Sequence, residues 1–462
     1  MSYEDFIARK RLAVPDAGFE APSALNAALF PFQAHIVRWA LRKGRCAIFA
    51  ECGLGKTLQQ LEWARLVAEH TGGQVLIFAP LAVAQQTVRE AQRFGISASY
   101  AATQMSAPES PVLVTNYERL KHFDVGSFAG VVLDESSILK AFAGKTKRAL
   151  VESCASVPYR LACTATPAPN DHLELGNHAE WLGVMSSHDM IARWFVNDAA
   201  TFGTYRLKGH AVESFWDWVA SWAVCVARPS DLGFSDDGYV LPELRLRPHV
   251  LDVDLLEDRG DTLFRIPDMS ATSIHREKRR TAGARAAAVA EVVLAEPGES
   301  WIVWCDTDYE AKELVTRIPD GVEIRGSHSV QRKEQAALDF VDGATRVLIS
   351  KPSIFGWGLN FQSCARMAFV GVGFSYELFY QAIRRAWRFG QRRPVDVHVV
   401  MASTETSVWS VLSVKRDGHD EMRAQMSGAM RRAQARESPA DGYRPTVEMQ
   451  IPEWLRSERR AA

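Results

Sequence analysis

The stretch AECGLGKT, Ala50 to Thr57, decides how the rest of the chain reads. It follows the apolar run CAIFA (46–50) and precedes LQQLEWARLV, whose apolar spacing predicts a helix. Strand, small-residue loop and helix in that order make a phosphate cradle. Backbone N–H groups turn toward phosphate oxygens and the helix N-terminus adds its positive end. In such a cradle Gly53 and Gly55 give the backbone room, Lys56 reaches the β and γ phosphates, and the Thr57 hydroxyl holds Mg²⁺. Alanine stands at position 50 where glycine is usual, a place that needs smallness more than positive φ.

About eighty residues on, GVVLDESS ends an apolar strand in two carboxylates. Asp134 is placed to hold Mg²⁺ and Glu135 to polarise an attacking water. Read only as an acidic corner between strand and helix, the pair would leave Lys56 without its complement. The same rhythm of apolar runs continues around these two motifs. VLIFAP (75–80), PVLVTN (111–116) and YRLACTAT (159–166) read as buried strands, with helical spacing between several of them. It returns later in WIVWCD (301–306), VEIRG (322–326), RVLIS (346–350), RMAFVG (366–371) and VDVHVV (395–400). Strands alternating with helices predict an α/β fold of two tandem parallel-sheet lobes.

The expected organisation is an N-terminal extension (1–25), a first lobe (26–180), a helical insertion with connector (181–245), a second lobe (246–415) and a basic tail (416–462). The insertion holds five of the thirteen tryptophans, and Phe215, Trp218 and Trp222 fall on one helical face. Burial of these aromatics in a small helical subdomain is the plain reading; stacking on DNA bases is the alternative. The tail clusters MRRAQAR and LRSERR read as a solvated helix. With 462 residues, 47% hydrophobic and 24% charged, the chain has the composition of a globular protein of two domains or more. No apolar run is long enough to span a bilayer, and the N-terminus lacks a secretory core. Seven scattered cysteines without a CxxC pair argue against a zinc site or disulfide framework and fit a reducing cytoplasm. The net charge of −1 requires that any nucleic acid be gripped by local patches.

The second lobe carries its own constellation, QAIRRAWRFGQ (381–391), with Arg385 and Arg388 spaced to share a helical face. Arginines offered from a second lobe stabilise charge developing on a γ-phosphate. Taken together, these segments resemble the superfamily-two helicases, specifically the Swi/Snf-like branch of double-stranded DNA translocases in its bacterial or phage form. LFPFQ resembles the Q motif, which implies Gln33 on the adenine edge. ECGLGKT resembles that branch's motif I, and DESS stands where the family has DEAH or DEAD. APLAVAQQT and VTNYERL resemble motifs Ia and Ib, CTATP motif III, and RGSHSVQRKE the segment after motif IV. GWGLN (356–360) resembles motif V and QAIRRAWRFGQ motif VI, the most branch-specific of the set.

The resemblance implies RecA-like lobes and ATP with Mg²⁺ bound between them, with RNA helicase activity as the alternative. It places Gln381, Arg385 and Arg388 with Glu135 in catalysis and Gly358 at the nucleotide. Thr115, Thr166, Ser327 and Asn360 are implied on DNA, which in this branch is duplex. Ser136 and Ser137 replace the family's Ala-His, so a serine hydroxyl is the group left to bond across to the other motifs. That change is the best support for the other rival, a nucleotide-gated DNA-binding scaffold that recruits a nuclease or methyltransferase, and the intact Glu135, Arg385 and Arg388 count against it. Neither chemistry has a signature in this chain.

Overall fold

The computed structural model describes residues 13–141, 144–197, 205–254, 271–354, 360–371 and 373–437. The apolar runs form strands because β-branched and aromatic residues dominate them and both sheet faces are covered. In the first lobe these are β1 (Arg45–Ala50), β2 (Val75–Ala79), β3 (Ala98–Tyr100), β4 (Val112–Asn116), β5 (Gly130–Asp134) and β6 (Tyr159–Thr164). A short antiparallel hairpin follows, β7 (Phe195–Asn197) with β8 (Tyr205–Leu207), and β9 (Ala223–Val226) then returns to the first sheet. That sheet has the order β3-β4-β2-β5-β6-β1-β9, every pair parallel.

The second sheet is built from β10 (Leu244–Leu251), β11 (Trp301–Trp304), β12 (Gly321–Ile324), β13 (Val347–Ser350), β14 (Arg366–Val370) and β15 (Val395–Ala402). Its order is β10-β15-β14-β11-β13-β12, again wholly parallel. The fold is therefore two tandem RecA-like α/β lobes. Parallel strands bring all their C-terminal ends to one edge, and loops at that edge are where such sheets hold ligands. The loop after β1 is the segment expected to cradle phosphate, and Asp134 ends β5.

Two expectations about the joining segments change. The tryptophan-rich stretch is not a subdomain with its own core: Trp181, Trp194, Trp216, Trp218 and Trp222 are all buried in the core of the first lobe. The nine-residue helix Val212–Ala220 is too small to enclose them, and β9 carries the segment onto β1, pairing Ala47 with Ala223. Their burial leaves no indole face for stacking on bases. The tail is also more than a solvated helix. The helix Thr406–Glu437 buries Val408 and Leu412 in the second lobe's core, and Met422, Met426, Ala429 and Met430 in the first lobe's. It thus crosses from one lobe to the other. The second tail cluster, LRSERR, lies outside the described residues.

Candidate nucleotide site between the lobes

The cradle owes its shape to two glycines. Gly53 (φ +91°) and Gly55 (φ +77°) lie where L side chains are strained, and Gly55 also opens the helix Lys56–Thr71. A Cβ on Gly55 would come within 2.3 Å of Gln33 Nε2. Ala50 needs no such freedom, since it is the last residue of β1 and keeps negative φ. Lys56 Nζ donates to the carbonyls of Ala50 (2.7 Å) and Glu51 (3.4 Å), so its ammonium lies inside the cradle. Gln33 donates from Nε2 to the Leu54 carbonyl (2.9 Å) and accepts from Phe30 N (2.9 Å). One N–H and one lone pair of its amide stay open, and the segment expected to read the base is tied to the loop through Leu54.

Across from the cradle, Asp134 is buried, and its backbone carbonyl accepts from the Tyr117 hydroxyl at 2.6 Å. Burial, and after it the neighbouring Glu135 carboxylate, raises the Asp134 acid to about 7. Glu135 is the one non-glycine among the described residues with positive φ (52°), a conformation that costs about 1–3 kcal/mol. Strain of this kind persists where the surroundings fix it. Here Thr164 Oγ1, at the end of β6, donates to Glu135 Oε2 at 3.4 Å, a direct link from motif II to motif III. The two serines that stand in place of the family's Ala-His point in different directions. Ser136 Oγ lies 3.1 Å from His178 Nε2 inside the first lobe, and Ser137 Oγ donates across the cleft to Glu377 Oε1 at 2.5 Å. Lys140 Nζ joins the same carboxylate at 2.5 Å.

The second lobe closes the cavity, whose volume is about 530 Å³. Gln33, Gly53, Gly55, Lys56, Thr57, Asp134 and Glu135 line it from one side, and Gln381, Arg385 and Arg388 from the other. The expected helical face for the two arginines is corrected: the helix Tyr376–Ile383 ends before them. The chain continues in tight turns (Arg385 N to Ala382 O 3.3 Å, Trp387 N to Ile383 O 3.0 Å), and the Arg385 carbonyl accepts from Phe361 N at 2.9 Å. Both guanidinium groups still face the cavity. Neither makes a hydrogen bond or ion pair with a described residue. Burial lowers the Arg385 pKa. Burial, with Arg385 and Arg384 alongside, brings Arg388 to about 10. Half-buried cations with no counter-charge bound among the described residues mark a place for an anion.

These charges test the cavity against its implied contents. Two guanidiniums without a hydrogen-bond or ion-pair partner among the described residues, the Lys56 ammonium and the cradle amides fit a polyphosphate. The adjacent Asp134 and Glu135, short of positive charge, with Thr57 beside them, fit Mg²⁺ held partly by phosphate oxygens. No group of three or more His, Cys, Asp or Glu able to hold a metal by protein ligands alone occurs among the described residues.

The implied DNA contacts fare differently. Thr115 and Thr166 are wholly buried, so their hydroxyls cannot touch a phosphate in this conformation. Asn360 is exposed but lines the nucleotide cavity, while Ser327 is exposed in the turn after β12. Gly358 lies outside the described residues. The sequence reading missed the aromatic side of the cavity, where Tyr239 from the connector stacks on Phe389 (centroids 4.7 Å apart) and meets Phe30 edge-on at 6.0 Å. Phe389 lies inside motif VI, and an aromatic there was the available signal. The seven cysteines are all free thiols, and no helix among the described residues is long and apolar enough to cross a membrane.

Residues 284–390 match the helicase conserved C-terminal domain, a span that includes both cavity arginines. Among curated proteins the chain is similar to the mouse (Mus musculus) DNA annealing helicase and endonuclease ZRANB3, 24% identical over 444 residues and covering 85% of this chain. The chain spans 40% of the length of that relative. Among solved structures it is similar to the Sulfolobus solfataricus SWI2/SNF2 ATPase core in complex with dsDNA. That match has a TM-score of 0.42 and 17% identity, over 90% of this chain and 97% of that one.

Proposed function

We propose that this chain, a superfamily-two helicase of the Swi/Snf-like branch, hydrolyses ATP in the cleft between its lobes and uses their closing and opening to move along duplex DNA. The observation that carries the reading is the convergence of Arg385 and Arg388 on the cavity that also holds Lys56, Asp134 and Glu135. Lys56 exchanges its carbonyl partners for phosphate oxygens. Glu135, aimed by its left-handed backbone and by Thr164, orients the attacking water and takes up its proton. Arg385 and Arg388 stabilise the charge that builds on the γ-phosphate, and they do so only when the lobes are together. Bound Mg²⁺, held from Thr57 and Asp134, would neutralise phosphate charge. Gln381 lines the same wall and is assigned to positioning, with Phe30, Tyr239 and Phe389 as the surface for the base.

Hydrolysis removes the group both lobes hold, so the lobes part, and alternate grip on phosphates becomes movement. Duplex DNA as the track is supported by the branch-specific form of motif VI and by the similarity to a protein named a DNA annealing helicase. The test is ATPase activity with duplex DNA, single strands or RNA, together with displacement of a third strand from a triplex. Duplex should stimulate most. Lys56→Ala should lose turnover, and Glu135→Gln should keep ATP binding while losing hydrolysis. Equal turnover in all three proteins, or stimulation by RNA alone, would reject the assignment.

A further inference from the structure

Glu51 opens the cradle sequence, yet it does not line the cavity. It is 7% exposed, and its carboxylate is held from two other parts of the molecule. The Tyr380 hydroxyl donates to Oε1, and Arg384 Nη2 lies 3.5 Å from the same oxygen; both belong to the second lobe. Arg423 Nη2, on the C-terminal helix, lies 3.0 Å from Oε2. Burial alone would raise this acid; Arg384, Arg423 and Tyr380 instead bring it to about 2.

The two cations ride on bodies that separate differently. Arg384 moves with the second lobe, and its Nη2 also donates to the Cys52 carbonyl at 2.7 Å. Arg423 stands on the half of its helix that belongs to the first lobe. There Met422 and Met426 enter the first core, and Ser427 Oγ donates to Asp231 at 2.8 Å. The other half is anchored in the second core, whose contact runs on to His419 against Tyr376 and Tyr380, and Gly418 stands beside that last contact, before Met422. A Cβ at Gly418 would meet nothing within 4 Å, so no packing demands a glycine there; it is the weak turn of a long helix.

We propose that Arg423 is a positioning residue for the nucleotide cycle. It stays on Glu51 when the lobes part and neutralises that buried carboxylate after Arg384 and Tyr380 have left. Without it, opening would strand a charge in the cradle's flank, which buried carboxylates tolerate poorly. Arg423 therefore lowers the cost of opening, and with it the barrier to product release, while the helix bends at Gly418.

This role rests on the ATPase reading, and the experiment separates the two. The full chain is loaded with a fluorescent ADP analogue and its release is followed by stopped flow, alongside steady-state ATPase kinetics. Arg423→Gln should slow release about tenfold, equivalent to about 1.4 kcal/mol of bias toward the closed state. Its kcat and KM should fall together. Arg423→Lys should stay near wild type. The double variant Glu51→Gln/Arg423→Gln should recover the wild-type rate, because the charge that needed a partner is gone. Recovery distinguishes this role from simple anchoring of the helix, which removal of Glu51 cannot restore. Unchanged or faster release in Arg423→Gln, or a double variant as slow as the single one, overturns the proposal. A wild-type chain that binds no analogue overturns the ATPase reading itself.

Discussion

Within the second lobe, Arg285 is wholly buried and Arg385 and Arg388 are partly buried on the cavity wall, and the three are provided for in opposite ways. Arg285 Nη1 donates to Glu310 (2.8 Å) and the Val370 carbonyl (2.6 Å), its Nη2 to the Lys278 carbonyl (2.5 Å), and its Nε to Thr281 (3.0 Å). Glu405 lies 3.2 Å from Nε as a second anion. Even the backbone makes room, since a Cβ at Gly371 (φ +93°) would lie 2.2 Å from Nη1. Among the described residues, the guanidiniums of Arg385 and Arg388 have no such partners. A satisfied buried charge is architecture, and an unsatisfied one facing a cavity is a site waiting for its ligand.

Mutation should separate the two kinds. Arg388→Ala should cost about a thousandfold or more in ATPase rate, the usual worth of such an arginine, while the unfolding midpoint in urea stays at the wild-type value or rises. A variant that loses stability and keeps its turnover would erase the distinction. Arg285→Met should do the reverse. It leaves Glu310 and Glu405 buried without their cation, and a loss of about 3–5 kcal/mol in unfolding free energy is expected. Glu310 also caps the helix Asp308–Arg317 through the amides of Asp306 (2.9 Å) and Thr307 (3.0 Å), so the damage should centre on the second lobe. Amide hydrogen exchange would locate it.

A smaller effect follows from groups buried neutral. Burial lowers His178 from 6.5 to about 4; His419, buried against the rings of Tyr376 and Tyr380 and facing Arg423, is lowered likewise. A histidine kept neutral in the folded chain gains its proton first in the unfolded chain. Stability is therefore whole above pH 6.5 and drains away between 6.5 and about 4. For His178 the loss is on the order of 3 kcal/mol. Urea titrations at a series of pH values should show this decline, and His419→Phe should make it shallower. The smallest expected change is Gly418→Ala, which should stabilise the C-terminal helix by at most about 1 kcal/mol while slowing nucleotide release. Faster release from that variant would count against a bend at this point.

How far the sequence could be read depends on how local each feature is. The cradle and the carboxylate pair were legible because each is a contiguous segment at the end of a strand, and strands buried on both faces announce themselves as unbroken apolar runs. The strand β9 and the fate of the tryptophans were not legible. AVCV looks like any short apolar run, and only the free edge beside β1 turns it into part of the first sheet. Thr115 and Thr166 sat in the right motifs, but whether a hydroxyl meets solvent depends on what packs over it, and here it is covered.

The sequence by itself determined the two α/β lobes, the glycine loop and the carboxylate pair at their strand ends, and the resemblance of the motifs. Those follow from periodicity and from short segments whose chemistry travels with them. Tertiary structure alone decided that, among the described residues, Arg384 has side-chain partners and Arg385 and Arg388 do not, although the three lie within five residues. It also decided that Ser137 reaches Glu377 across the cleft, and that a helix from the far end of the chain returns a cation to Glu51. Each of these depends on which surfaces meet when two lobes close, and burial, not residue type, sets whether a charge is satisfied.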